Sequence, residues 1–507
     1  MRRGQVHGAG RGDHLELHPR RREGPRGEGL RRRVRPPDGD RSGEGPSARR
    51  GGPQRRGPPA AQHRGRRGRQ VGDRPRGGHD LGHRGHRPVR QAHPGARPAG
   101  HEGGARGRLH GRGKRLRRPL PARAGSARVK AALAQIDTTA GDIAGNLLRI
   151  RLAYAKACER GADLVVFPEL AVPGYPSGDL LCQGDFIRAN LKALDSLARS
   201  SGKAALLVGY AEPNRSGRGK PLFNAAALLR QGRIAAKRFK TLIPTYDVFD
   251  EGRYFEAAPG NEPVLLGGRR IGVSVCEDAW NDPDFWARPL YGKDPVSALA
   301  KAGAEILVNL SASPFSRGKP ALRLRMLKSH ARKTRKPFLF CNLVGGNDEL
   351  VFDGGSLALD AQGRLRACGR AFADDLVLVD LDASGPAVPC CAPSGIEEVY
   401  RALLLGLKDY ARKCRFREAV VGLSGGIDSA LVCTLAADAL GAENVTGVLM
   451  PSRYSSKGSV RDALALAKNL GVAAFTVPIE PMHAASLASL RKAGLSTEGL
   501  VEQNLQA

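Results

Sequence analysis

Between residues 128 and 381 apolar runs of strand length alternate with stretches whose apolar positions fall at helical spacing. "VKAALAQID" (129–137) alternates as a strand. "NLLRIRLAYAKACERGADLVVFPEL" gives a helix, a stop at Gly161 and then a buried strand over 164–167. Further strands are predicted over 204–210, 223–229, 233–239, 271–276, 305–310, 337–343, 356–360 and 376–381, with helices such as 180–201 and 320–335 between them. "LLRQGRIAAKRF" reads as a hairpin-like unit turning on Gln231 and Gly232. The pattern predicts a layered α/β or α+β architecture with mainly buried strands.

A Pro-, Gly- and Ser-rich break, "ASGPAVPCCAPSG" (383–395), ends this region. Beyond it "IEEVYRALLLGLKDYARKC" reads as a helix, and "EAVVGLSGGIDSALVCTLAADAL" as strand, glycine-rich turn and helix. "VTGVLMPS", "GSVRDALALAKNLG" and "AAFTVPI" add strand, helix and strand. That βαβαβ order predicts a doubly wound parallel sheet. The expected organisation is a leader (1–127), a first domain (128–385) and a second (386–507).

Composition changes the picture only for the leader. Residues 1–127 hold 34 of the 82 Lys+Arg and 10 of the 49 Asp+Glu, ten of the twelve histidines, and no Phe, Trp, Tyr or Cys. Without apolar periodicity such a segment cannot offset the entropy of ordering, so the leader is expected to be disordered. It reads as a stretch translated out of frame or upstream of a mis-called start, with an inert tail or an arginine-rich nucleic-acid arm as alternatives. The lack of interleaved aromatics makes a nucleic-acid partner the weakest of these. No apolar run reaches the length of about 20 residues that spans a bilayer, and no secretory h-region is present. The nine cysteines are scattered without a C-x-x-C pair, the usage of a cytoplasmic protein with free thiols.

Candidate chemistry begins at "IGVSVCEDAW" (271–280), where a strand ends on Cys276. A thiol with a pKa of about 8.5 needs a base or a neighbouring cation to attack as thiolate. Only His330 and His483 lie outside the leader, the second in the later domain, and His330 sits in a basic helical run where a surface position or a capping contact is expected. The base is therefore expected to be a carboxylate. "LVVFPEL" places Glu169 past a buried strand, and "AAKRFKTLIPTYDVFDEGRYFE" places Lys240 likewise. Glu169 would take the thiol proton and return it to a leaving amine; Lys240 would stabilise the oxyanion.

"FPEL", the block from Lys240 to "YDVFDEGRYF", and "VSVCEDAW" together resemble the nitrilase, or carbon-nitrogen hydrolase, superfamily. The resemblance implies an αββα sandwich, a Glu169–Lys240–Cys276 triad and a thioester acyl-enzyme. It assigns a second catalytic glutamate to Glu251, and substrate contacts to Tyr246 and Glu277. Glu277 would receive the ammonium of a free amino acid.

"LSGGIDSA" (423–430) lacks the Walker A pattern, yet it follows a strand and opens a helix whose N-terminus favours a phosphate-like anion. S-G-G-x-D-S resembles the PP-loop ATP pyrophosphatases, which cleave ATP between its α and β phosphates. Ser424, Gly425, Gly426, Asp428 and Ser429 are then ATP contacts, and Asp428 also holds the Mg²⁺ of the ATP complex. "LMPSRYSS" adds Arg453, Ser455 and Ser456. The two domains in this order resemble the glutamine-dependent NAD⁺ synthetase family, a resemblance extended by "ALLLGLKDYARK", "MPSRYSS" and "EQNLQA". It implies glutamine, ATP and deamido-NAD⁺ as substrates, an ammonia tunnel and a homo-oligomer. It also implies further chain after "NLQA", so the synthetase sheet is expected to be incomplete. A stand-alone amidase or nitrilase, and a nucleic-acid binder using the leader, are the alternatives.

Overall fold

The computed structural model describes residues 128–505 apart from Cys391, Glu498 and the side chain of Gln503. The leader expected to be disordered lies outside the described residues. Among those described, no helix is long and apolar enough to cross a membrane.

In chain order the first half contains β1 (Lys130–Gln135), α1 (Ile143–Glu159), β2 (Leu164–Val166), α2 (Gly184–Ser200), β3 (Ala205–Pro213), β4 (Leu222–Arg230), β5 (Arg233–Phe239), β6 (Val264–Leu266) and β7 (Arg269–Val275). Then come α3 (Pro295–Lys301), β8 (Ile306–Ser311), α4 (Lys319–Thr334), β9 (Phe338–Asn342), β10 (Val344–Asn347), β11 (Leu350–Asp353), β12 (Leu357–Leu359), β13 (Leu365–Cys368) and β14 (Asp375–Asp380). They form two six-stranded sheets, ordered β14-β1-β2-β3-β4-β5 and β13-β12-β9-β8-β7-β6, and a β10–β11 hairpin. In each sheet three neighbours run parallel, β1-β2-β3 and β7-β8-β9, as buried crossovers require.

The strands are apolar at both parities because both faces of each sheet are covered. Ala131 and Leu133 of β1 face the second sheet, in one core with Val273, Val308 and Leu339. Ala132 and Ala134, one residue out of phase, pack with Ile150, Leu194 and Leu197 of α1 and α2. On the far side Leu307, Phe338 and Phe340 pack with Val296, Leu299, Met326 and Leu327 of α3 and α4. The result is the αββα sandwich, with each buried Leu or Phe contributing roughly 1.5–3 kcal/mol. The β4–β5 hairpin turns on Gln231 and Gly232, with φ of 49° and 78°, the two positive values that a type I′ turn requires.

The second half contains α5 (Ile396–Lys413), β15 (Ala419–Gly422), α6 (Ile427–Leu440), β16 (Val445–Leu449), α7 (Lys457–Leu470), β17 (Ala473–Thr476) and α8 (Glu480–Lys492). Its sheet runs β15-β16-β17, all parallel, around a core of Val421, Leu423, Cys433, Ala437, Val445, Leu449 and Ala463. Among the described residues β15 and β17 each pair with β16 alone.

Helix α5 joins the halves at the β10–β11 hairpin. At its end the Lys413 ammonium donates to Asp137 Oδ1 (2.7 Å), to the carbonyls of Thr138 (2.9 Å) and Gly346 (2.8 Å), and to Asn347 Oδ1 (3.1 Å). Asp409 of α5 accepts the Gly346 N–H at 2.8 Å. Four acceptors from the first half around one buried cation make this a directional seat.

Candidate active site

Glu169, Lys240 and Cys276 each stand just beyond the C-terminal end of a strand, β2, β5 and β7, so sheet geometry brings together residues far apart in sequence. The turn bearing Glu169 presses against β3 at Gly209, where a Cβ would lie 2.3 Å from the Leu170 nitrogen and 2.5 Å from the Pro168 oxygen. Only glycine leaves room there. Cys276 itself has φ of +40°, a strained backbone for a non-glycine residue, at the head of a short turn over Cys276–Ala279.

The Lys240 ammonium is fully buried and donates to Glu169 Oε1 and to both oxygens of Glu251, all at 2.8 Å. Burial alone would lower its pKa, but Glu169 and Glu251 outweigh that and hold it well above the usual lysine value. Asn224, pointing inward from β4, donates to Glu169 Oε1 (2.7 Å) and to Glu251 Oε2 (3.3 Å). Glu169 Oε2 accepts the Ala312 N–H at 2.9 Å, and Glu251 Oε1 accepts the Tyr175 hydroxyl at 3.0 Å. Burial raises the Glu251 pKa, opposed by Lys240 and reinforced by Glu169.

Cys276 is buried in the same group. Burial pushes its thiol well up, Glu169 pushes it further, and Lys240 opposes both. At rest Cys276 is therefore a protonated thiol, which ionises only as a base takes its proton. Cys276 opens into a cleft of about 450 Å³ shared with Tyr246, Phe249, Glu277, Trp280 and Ser313. Glu277 is buried, and its Oε1 accepts the hydroxyls of Tyr246 (2.8 Å) and Tyr291 (3.1 Å). The Ser313 hydroxyl in the cleft wall is buried without a hydrogen-bond partner among the described residues. Arg317, Lys319 and Arg325 also line the cleft.

Asp278 was not foreseen. Its Oδ1 accepts the N–H groups of Thr241 (2.9 Å) and Leu242 (2.8 Å), and its Oδ2 that of Val275 (3.0 Å). One carboxylate thus ties the chain just after Lys240 to the chain just before Cys276. Burial raises its pKa to about 7 against the pull of those three amides. Tyr175, Asn224 and Tyr291 were also not foreseen; a lone Asn in the apolar run "LFNAAALL" was the one available signal.

Of the two positions expected for His330, it takes the capping contact and not the surface one: it is fully buried, with Nε2 2.7 Å from the carbonyl of Ala279, the last residue of the turn that Cys276 opens, and its ring stacked on Phe338. Burial lowers its pKa, so it is a neutral cap on that turn.

In the second half a cleft of about 760 Å³ is lined by Ser424, Met450, Tyr454, Ser455, Ser456 and Ser459 among others. Gly425 (φ 78°) lets the glycine loop lie against α7: a Cβ there would be 2.3 Å from the Ser459 carbonyl oxygen. Ser429 Oγ is 3.1 Å from Ser424 Oγ and donates to the Gly426 carbonyl at 3.0 Å. Asp428 is exposed on the first turn of α6. Arg453 is held in an ion pair with Glu480, with Nε 2.9 Å from Oε1. Among the described residues no group of three or more His, Cys, Asp or Glu could enclose a metal ion. One carboxylate beside a glycine loop at a helix N-terminus does fit the magnesium of a nucleotide complex, which takes few protein ligands.

The profile of the carbon-nitrogen hydrolase family matches residues 130–386, and that of NAD synthase matches residues 399–507. The glutamine-dependent NAD(+) synthetase of Synechocystis is 44% identical over 387 residues, 74% of this chain and 69% of the relative. That of Thermotoga maritima is 39% identical over 421 residues, 75% of this chain and 70% of the relative. Among solved structures, the glutamine-dependent NAD+ synthetase of Acinetobacter baumannii in complex with ADP superposes with a TM-score of 0.67 at 31% identity, covering 75% of this chain and 70% of its own.

Proposed function

The chain belongs to the glutamine-dependent NAD⁺ synthetase family, and from that premise we propose that its first half, 128–385, hydrolyses glutamine and its second, 386–507, carries the ATP-binding part of the synthetase. Glu169 takes the Cys276 proton as the sulfur attacks the amide carbon. The carbonyl oxygen becomes an oxyanion beside the Lys240 ammonium. Glu169 then gives its proton to the departing nitrogen, which leaves as ammonia, and a thioester remains. Water, deprotonated by Glu169, attacks the thioester and frees glutamate and the Cys276 thiol. Glu251 keeps Lys240 charged and aimed.

Glu277 receives the α-ammonium of glutamine, with Tyr246 and Tyr291 fixing its carboxylate. Arg317, Lys319 and Arg325 suit the α-carboxylate at the other side of the cleft. In the second half, Ser424, Gly425, Gly426, Ser429, Ser455 and Ser456 cradle the phosphates of magnesium-ATP, with Asp428 toward the metal and Arg453 toward the nucleotide once freed from Glu480. The α-phosphorus of ATP is attacked by the carboxylate of deamido-NAD⁺ with loss of pyrophosphate, and ammonia displaces AMP.

The observation that carries this reading is the Lys240 ammonium clamped between Glu169 and Glu251 in the same buried group as Cys276. A stand-alone amidase would leave the region matching NAD synthase, 399–507, without a role. Amide-¹⁵N glutamine tests the proposal: labelled ammonia should be released by the wild-type chain and not by Cys276→Ala, while the two should bind magnesium-ATP equally. Labelled ammonia released by Cys276→Ala would overturn it.

A further inference from the structure

The segment that leads from the first half into α5 does not hang free. It lies along β13, the edge strand of the second sheet: the Val388 N–H donates to the Leu365 carbonyl (2.8 Å), and Arg366 donates to the carbonyls of Gly385 (2.5 Å) and Ala383 (3.1 Å). Cys368 closes β13 and Cys390 sits on the segment opposite, with their sulfurs 3.4 Å apart.

We propose that Cys368 and Cys390 are a thiol pair oxidised by hydrogen peroxide to a reversible disulfide, which staples this connecting segment to the edge of the second sheet. A disulfide needs its sulfurs about 2.05 Å apart. The remaining approach, about 1.4 Å by that standard, is within side-chain rotation for an exposed Cys390 and a half-buried Cys368. The bridge would close a ring from 368 to 390, just ahead of Ile396 where α5 begins.

The pair also differs chemically from the buried thiols. The hydrogen bond from Cys368, the Ala392 N–H and the charges of Lys328 and Arg323 lower the Cys390 pKa to about 6, against the desolvation from its neighbours. It is thiolate at neutral pH, whereas burial holds Cys276, Cys341 and Cys433 protonated. The Cys390 sulfur attacks one peroxide oxygen, the O–O bond breaks, and hydroxide leaves from a sulfenic acid. The Cys368 sulfur then attacks the sulfenic sulfur, the S–S bond forms, and the S–O bond breaks with release of water. Two electrons pass from the thiols to the peroxide, which ends as two waters. The proposal is independent of the reaction assigned to either half.

Trypsin separates the pair, placing Cys368 in 367–370 and Cys390 with Cys391 in 371–401. The full-length chain should be treated with hydrogen peroxide, blocked with iodoacetamide and digested without reductant. The expected result is a linked species two hydrogens lighter than the two peptides together, the second carrying one carbamidomethyl group on Cys391, with two fewer titratable thiols than the untreated chain and both restored by dithiothreitol. The link should persist in Cys391→Ser and vanish in Cys390→Ser and Cys368→Ser. Failure to find it in the wild-type chain, or its persistence in Cys390→Ser, would overturn the proposal.

Discussion

The Lys240 ammonium stands 2.8 Å from the Glu169 carboxylate, and both side chains are cut off from solvent. Removing the cation leaves Glu169 and Glu251 facing each other in the interior. Lys240→Met should abolish glutamine hydrolysis and destabilise the first half by about 3–5 kcal/mol at pH 8. The loss should be smaller at pH 5. Burial already raises the Glu251 carboxyl and Lys240 opposes that rise, so without Lys240 its folded pKa lies further above its unfolded one, and its contribution is fully present below the unfolded value and is lost as pH rises through the folded one. Urea midpoints at the two pH values check this; an equal loss at both would show that the cation does not neutralise these carboxylates.

Asp278 acts as a positioning residue, through the backbone amides of Thr241, Leu242 and Val275. In Asp278→Asn the amide nitrogen must face at least one of these donors, a loss of about 1–3 kcal/mol. Glutaminase kcat should fall at least tenfold with KM within about threefold, because the substrate contacts stay while nucleophile and cation drift apart. The Asp278 carboxyl is raised to about 7, so its contribution to stability is present below the unfolded value near 4 and declines through pH 7. The variant should flatten that decline. A rise in KM with kcat unchanged would place Asp278 in binding instead.

Glu277 should set the choice of substrate. Replacing a charge-assisted contact worth about 1.5–3 kcal/mol, Glu277→Gln should raise KM for glutamine by about 10- to 100-fold. Simple aliphatic amides, which have no ammonium to place, should be turned over no worse than by the wild type. Parallel steady-state assays on glutamine and butyramide distinguish this from general damage to the cleft.

Lys413→Met tests the seat between the halves. The substitution leaves Asp137, which burial already raises to about 6 against the pull of Lys413, with Arg412 as its remaining cationic partner among the described residues, and a destabilisation of about 1–3 kcal/mol is expected. Limited proteolysis should cut the 383–395 segment faster than in the wild type.

Gly425→Ala separates the two chemistries. A methyl group 2.3 Å from the Ser459 carbonyl must displace the glycine loop or α7. ATP binding by calorimetry should weaken at least tenfold while basal glutamine hydrolysis is unchanged.

Much of this was legible because it is periodic or punctuated. Strands covered on both faces are continuous apolar runs, and the acid, amine and thiol each follow one of them. The Gln231–Gly232 turn is marked by its glycine. What escaped was short or convergent. β6, β10, β11 and β13 have three or four residues, and in "VGGN" only the valine favours a strand; sheet edges and the seat for α5 hold them in place. Asn224, Tyr175 and Tyr291 acquire their roles only when distant segments meet. His330 sits among Arg and Lys, yet the helix turns it inward onto Ala279, an orientation that composition does not reveal.

The two carboxylates around one ammonium leave the pocket with a surplus of a single negative charge while the thiol keeps its proton. That surplus is the same at every stage of acyl transfer: it begins shared between Glu169 and Glu251, passes to sulfur when Glu169 is protonated, and then to the oxygen of the tetrahedral adduct. Ionisation is relocated among buried, poorly screened groups and never generated there, so the desolvation that opposes creating an ion bears little on the step. The same lack of screening strengthens the pull of Lys240 on the oxygen that receives the charge.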